Sequence, residues 1–170
     1  GLKIIGNGTV PKECQWTSAV DSDTLTIASN YVYVANIYFK PPVYSADATT
    51  TAIKLSSANH ARIVGCRFQG QTGSYNAIYS PVCNSDNVEI IGNEFYYMNT
   101  AGAGAAIYGI EAGGLAYSGW VVKDNIFMSC VKSYDVDSRG CTIEGNKFFQ
   151  QGITSAGVIG AVQTAGITCD

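Results

Sequence analysis

The chain is poor in charge and has almost no histidine. Of 170 residues, 14% are Asp, Glu, Lys or Arg, the net charge is −3, and His60 is the single histidine. Ten Lys and Arg residues scattered among thirteen acids form no basic stripe, which excludes the electrostatic footprint of a nucleic-acid binder. No apolar run approaches the length of a membrane span, and the N-terminus lacks the charged-then-apolar layout of a signal peptide. The first residue is Gly1 rather than Met, so a processed chain or a piece of a longer one is expected. The six cysteines (Cys14, Cys66, Cys83, Cys130, Cys141 and Cys169) form no CxxC pair, and His60 has no partner at zinc-ligand spacing. No metal or other cofactor is expected. The chain is not Cys-dense in the manner of small secreted scaffolds, so buried thiols are expected ahead of a disulfide framework.

What the chain does have is repetition. The stretch Val88-Glu-Ile-Ile-Gly-Asn-Glu-Phe95 reads as a short strand, a bend at Gly92-Asn93 and a second strand around Phe95. Related stretches are residues 2–9 (LKIIGNGT), 32–39 (VYVANIYF), 61–68 (ARIVGCRF), 120–127 (WVVKDNIF) and 141–148 (CTIEGNKF), with their last residues 21 to 32 apart. Aligned, they give a β-branched column (Ile4, Val34, Ile63, Ile90, Val122, Ile143), as a buried strand position favours. Two residues earlier stand Leu2, Val32, Ala61, Val88, Trp120 and Cys141, all able to face a core. The bend column is Gly6, Asn36, Gly65, Gly92, Asp124 and Gly145, residue types that tolerate unusual backbone angles. After it come Asn7, Ile37, Cys66, Asn93, Asn125 and Asn146, and the last column is Thr9, Phe39, Phe68, Phe95, Phe127 and Phe148. Stacked Asn amides can hydrogen-bond from coil to coil, and stacked Phe rings can fill the interior.

A fainter strand follows each stretch: Ala52-Ile53-Lys54, Ala77-Ile78-Tyr79, Ala106-Ile107-Tyr108, Asp135-Val136-Asp137 and Gly157-Val158-Ile159. The tail Gly166-Ile-Thr-Cys-Asp170 reads as the start of another coil. Helical periodicity is missing, and an antiparallel sandwich would not produce residue-by-residue columns. Constant columns with variable spacing predict an all-β, right-handed parallel β-helix of about six coils, forming one domain over 1–170 with insertions in its loops. Charges test the register. Coils about 4.8 Å apart would set Arg62 beside Glu89, Arg67 beside Glu94, and Lys123 beside Glu144. Each exposed pair contributes at most about 1 kcal/mol, but a slipped register would lose all three.

The recurring IxGNxF pattern (Ile91-Gly-Asn-Glu-Phe95, Glu144-Gly-Asn-Lys-Phe148, Lys123-Asp-Asn-Ile-Phe127), followed by an Ala-Ile strand, resembles the pectin-lyase-like superfamily. That superfamily includes pectate lyases, polygalacturonases and bacteriophage tailspikes. The resemblance implies three strands per coil and a polysaccharide site on an outer face or in a groove beside long loops. It does not carry an activity across: the chain has no Asn-Thr-Asp or Gly-His-Gly motif and no calcium-plus-arginine cluster.

Three sets of residues invite a functional role. Asp135 and Asp137 flank inward Val136 and would point outward roughly 7 Å apart, within the range of inverting glycosidases. As a solvated strand the same pair has no chemistry. Tyr79 and Tyr108 share an outward column with Lys54 and Asp137, suited to a sugar platform or to a subunit contact. Long loops are expected at Pro11 to Asp23, Lys40 to Thr50, Gln69 to Tyr75, Asn99 to Gly104 and Glu111 to Gly119. His60 is expected at a loop or corner. Residues 101–105 (AGAGA) lack the Lys-Ser/Thr of a phosphate loop, and Thr24-Leu25-Thr26 stands alone where ice binding would need regular Thr columns.

Strands that start and stop at the two ends of the chain would expose unpaired edges unless further coils or neighbouring subunits cover them. The expectation is therefore a non-catalytic structural or receptor-facing module of a larger assembly. Its place would be the virion or extracellular surface, as a bacteriophage tailspike or capsid decoration. Its partners would be a homotrimer or other virion subunits, and a polysaccharide. The alternatives are a polysaccharide lyase or glycoside hydrolase fragment using Asp135 and Asp137, and a glycan-binding adhesin using Tyr79 and Tyr108.

Overall fold

The computed structural model describes residues 1–149 except 10, 19–21, 41–49, 71, 74, 82–84, 101–105, 110–116, 131–132 and 137. These residues form an all-β parallel solenoid. Among them no helix is long and apolar enough to cross a membrane.

Three parallel sheets enclose one core. The first stacks Lys3–Ile5, Tyr33–Ala35, Arg62–Val64, Glu89–Ile91, Val121–Lys123 and Thr142–Glu144. The second stacks Gln15–Thr17, Tyr38–Lys40, Arg67–Gln69, Glu94–Tyr96, Ile126–Met128 and Lys147–Phe149. The third holds five strands: Leu25–Ile27, Thr50–Leu55, Tyr75–Ser80, Ile107–Gly109 and Tyr134–Val136. The last pass has no third strand among the described residues, so the described solenoid falls short of six complete coils.

The register follows the columns read from the sequence on the first sheet. Ile90 lies between Ile63 and Val122, and Val122 is followed by Ile143. Strands of three residues suffice because only the central side chain of each has to point inward. The bend to the second sheet is made by Asn36, Gly65, Gly92, Asp124 and Gly145, all in the left-handed backbone region. The first coil bends differently. Gly6 does not share that conformation; it is required because a Cβ there would meet the Asn36 carbonyl oxygen at 1.9 Å.

Behind the bend, the expected asparagine ladder is present. Asn93 is fully buried, its Oδ1 accepts from the Cys66 backbone N–H (2.8 Å), and its Nδ2 donates to the Ile63 carbonyl (2.9 Å). Asn125 and Asn146 repeat this on the next two rungs, donating to the Ile90 and Val122 carbonyls. Beside the ladder the rings of Phe39, Phe68, Phe95, Phe127 and Phe148 stack 4.7–5.1 Å apart and within 7° of parallel.

Five expectations need correction. Trp16, not Thr9, begins the aromatic column, pairing with Phe39 and meeting its ring edge-on. Cys14, not Asn7, takes the first ladder position, since its carbonyl receives the Tyr38 N–H. Both follow from an insertion of seven residues after the first bend, containing the 3-10 turn Pro11–Glu13, so the expected loop Pro11 to Asp23 in fact carries the strand Gln15–Thr17. Leu2, expected to face the core, is 62% exposed. In the third sheet Ile107 pairs with Tyr134 and not with Val136. A shift of two residues preserves the inward–outward alternation, so the sequence pattern tolerates either register. Buried Tyr134 supplies the inward side chain, and the strand Leu25–Ile27 adds a rung where the sequence pattern marks none.

The three predicted ion pairs form: Arg62–Glu89 at 2.6 Å, Arg67–Glu94 at 3.7 Å and Lys123–Glu144 at 3.5 Å. A fourth, Lys54–Asp23 at 3.4 Å, joins the third sheet to the segment before it. Cys14, Cys66 and Cys130 are free thiols, as expected, whereas Cys141 is disulfide-bonded.

Candidate functional site

The outward column of the third sheet runs Thr26, Lys54, Tyr79 and Tyr108, and the register pairs Tyr108 with Asp135. The two-residue shift therefore puts Asp135, not Asp137, on the rung after Tyr108. Asp137 lies outside the described residues. Tyr79 and Tyr108 are half-buried, with ring centroids 5.5 Å apart and planes 14° from parallel. This stack comes directly from rung spacing: equivalent side chains on parallel strands sit about 4.8 Å apart, close to the contact distance of two rings. It also limits what the pair can bind. Each ring turns one face to the other, so the pair presents mainly edges and hydroxyls to a ligand.

On the second sheet, the Arg67 guanidinium lies 4.2 Å from the Tyr96 ring centroid and 5.6 Å from that of Tyr38. Tyr38 donates its hydroxyl to Gln69 Oε1, and Tyr96 donates to Glu94 Oε2 at 3.3 Å. Burial, with the Glu94 carboxylate beside it, raises the Tyr96 hydroxyl above its ordinary pKa. The group is a self-contained network that welds three rungs together.

A further column of left-handed residues turns the chain from the third sheet back to the first. It consists of Tyr31, His60, Asn87, Gly119 and Gly140. His60 therefore sits at a corner, as expected. Its ring stacks on Tyr31 at 4.7 Å and 3°. The residue before each corner forms a second polar ladder: the Asn30 Oδ1 accepts from Asn59 N–H (3.0 Å), Asn59 Oδ1 from Asp86 N–H (2.7 Å), and Asp86 Oδ1 from Ser118 N–H (2.9 Å). The sequence carries a signal for this ladder. Extending the alignment two positions upstream puts Asn30, Asn59, Asp86 and Ser118 in one column.

Among the described residues no cluster of three or more His, Cys, Asp or Glu side chains could hold a metal ion. The buried Cys66 and Cys130 thiols are pushed up to about 12 by burial, so neither is a nucleophile near neutrality. A cavity of about 160 Å³ opens in the first coil, two rungs below Tyr79, between Leu2, Ile4, Leu25, Ile27 and Val32. It is the apolar end of the core. Of the expected loops, 41–49, 101–105 and 110–116 lie outside the described residues.

No protein-family model, no curated protein and no solved structure matches this chain.

Proposed function

We propose that this chain is a non-catalytic, receptor-facing β-helix module of a larger assembly, of the kind that pectin-lyase-like folds provide in bacteriophage tailspikes and capsid decorations. One observation carries this reading: the outer faces are built for rigidity. Glu89, Glu94, Glu144 and Asp23 are each held by a cation on a neighbouring rung or segment. Asp86 serves the corner ladder, and Glu13 binds the backbone N–H and hydroxyl of Thr9. Carboxylates committed in this way maintain a scaffold and are poorly placed to shuttle protons. Light scattering over a wide concentration range tests the assembly. A trimer or higher oligomer is expected, and a monomer at every concentration overturns it.

A second reading is favoured by the Tyr79–Tyr108 stack: an adhesin that holds a glycan against the third sheet, beside Lys54. Tyr79→Ala with Tyr108→Ala then abolishes glycan capture; unchanged capture removes this face from consideration. A hydrolase or lyase acting through Asp135 and Asp137 is the remaining alternative, and loss of glycan depolymerisation in Asp135→Asn is its test.

A further inference from the structure

The outer face of the first sheet carries more apolar surface than the solenoid needs. Its strands point their central residues inward, and Val34, Ile63, Ile90 and Val122 are buried. The flanking residues point outward in two columns, and polar side chains would serve at both. One column runs Ala35, Val64, Ile91 over three successive rungs before it reaches Lys123. Val64 and Ile91 are only half-buried. The other column runs Tyr33, Arg62, Glu89, Val121, and the Arg62 and Glu89 side chains are 51% and 36% exposed. Gly65 and Gly92 follow Val64 and Ile91, with open space where their Cβ atoms would stand. At these two rungs the bend adds no side chain to shield the face.

The order of charges on this face is self-complementary. Arg62 and Glu89 occupy the same column on adjacent rungs, one of each sign. A second copy laid face to face by a two-fold axis parallel to the strands has its rungs in reverse order. With the axis midway between those two rungs, Arg62 of each copy meets Glu89 of the other. Val64 then meets Ile91, Tyr33 meets Val121, and Lys123 lays its stem over Ala35. Other arrangements fail. Moving the axis onto either rung sets Arg62 against Arg62 or Glu89 against Glu89. A two-fold along the solenoid axis keeps the rungs level but exchanges the columns, so Arg62 would be covered by Val64 and Glu89 by Ile91, with no opposite charge from the other copy. One symmetry and one register satisfy both the charges and the apolar column.

We propose that the outer face of the first sheet is a contact between two copies of this chain with antiparallel solenoid axes, centred between the Arg62 and Glu89 rungs. In it each carboxylate gains a second guanidinium, and water is excluded from around all four charges. Six strands of three residues make a patch of about 24 by 10 Å. That is well under the roughly 800 Å² per partner of a standard interface, so the contact is reversible and concentration-dependent. It goes beyond the receptor-facing function proposed above, which names no face, and it uses only the four inner rungs.

Reversed and exchanged charges test it. Sedimentation velocity over a wide concentration range should show the parent protein self-associating, and more weakly as salt is added. Arg62→Glu alone, or Glu89→Arg alone, places like charges across the two-fold, and each should weaken self-association at least tenfold. An equimolar mixture of the two variants should restore it, because every charge of one variant then faces its opposite on the other. The Arg62→Glu, Glu89→Arg double variant should self-associate like the parent. Both side chains reach solvent, so each variant should fold, which its melting temperature verifies. Self-association that survives either single reversal, or that the mixture fails to restore, overturns the inference and leaves the proposed assembly standing. A dimer that follows the expected pattern supports the inference and sets the trimer aside. A parent protein that is monomeric at every concentration overturns both.

Discussion

The side-chain carbonyl of Asn125 accepts from both the backbone N–H (2.8 Å) and the side-chain amide (3.1 Å) of Asn93, one rung away. A single buried oxygen thus satisfies two donors, while the Asn125 amide donates to the Ile90 carbonyl at 2.9 Å and to Asn146 Oδ1 at 3.0 Å. Replacing Asn125 with Leu leaves the Asn93 N–H and the Ile90 carbonyl buried without these partners. Each orphaned group costs about 1–3 kcal/mol, so a loss of about 3 kcal/mol or more is expected, measured as a lower urea midpoint.

The two kinds of bend glycine should respond in opposite ways. Gly92 has φ +64° with open space where a Cβ would stand, and Asn36 occupies the same column at φ 55°. Gly92→Asn should therefore change stability by less than about 1 kcal/mol. Gly6→Ala instead drives a methyl into the Asn36 carbonyl, and a loss of about 3 kcal/mol is expected from the backbone shift that follows. Thermal unfolding of the two variants distinguishes them.

Burial raises the Cys66 and Cys130 thiols from 9.0 to about 12. A raised folded-state pKa contributes stability that is fully present below about pH 9. It is lost as pH rises from about 9 toward 12, because the unfolded chain releases its thiol protons first. The urea midpoint should fall across that window. At pH 8, iodoacetamide should leave both thiols of the native protein unmodified, and rapid labelling of Cys66 would show that its site opens readily.

Arg62 and Glu89 are close at 2.6 Å, but their side chains are 51% and 36% exposed. A double-mutant cycle to Ala should return a coupling below about 1 kcal/mol that shrinks with added salt. The reversed pair, Arg62→Glu with Glu89→Arg, should be nearly as stable as the parent, because the rungs stay adjacent whichever sign each carries.

The ion pairs, the Asn ladder and the Phe stack were legible because parallel stacking places equivalent positions side by side, and a column of like residues in sequence is a column in space. Legibility failed where that equivalence is broken or degenerate. Thr9 and Asn7 stood at the right distance from Ile4, but the insertion after Gly6 hands their positions to Trp16 and Cys14. Asp137 was expected beside Tyr108 because a two-residue slip leaves every side chain on the same face, and only the hydrogen-bonded register, Tyr108 with Asp135, distinguishes the two alignments.

By itself the sequence determined the solenoid, its bends and the neighbours of its charged residues, since all three depend on local conformation repeated at each rung. The tertiary structure decided what no periodicity encodes. It set the register of the third sheet by packing buried Tyr134 into the core, and it turned the faces of Tyr79 and Tyr108 toward each other. It also brought Tyr31 and His60, 29 residues apart, into one exposed stack at a corner where smaller residues would do. Distances between side chains on different rungs depend on how the whole coil closes, and closure is a property of the assembled sheets.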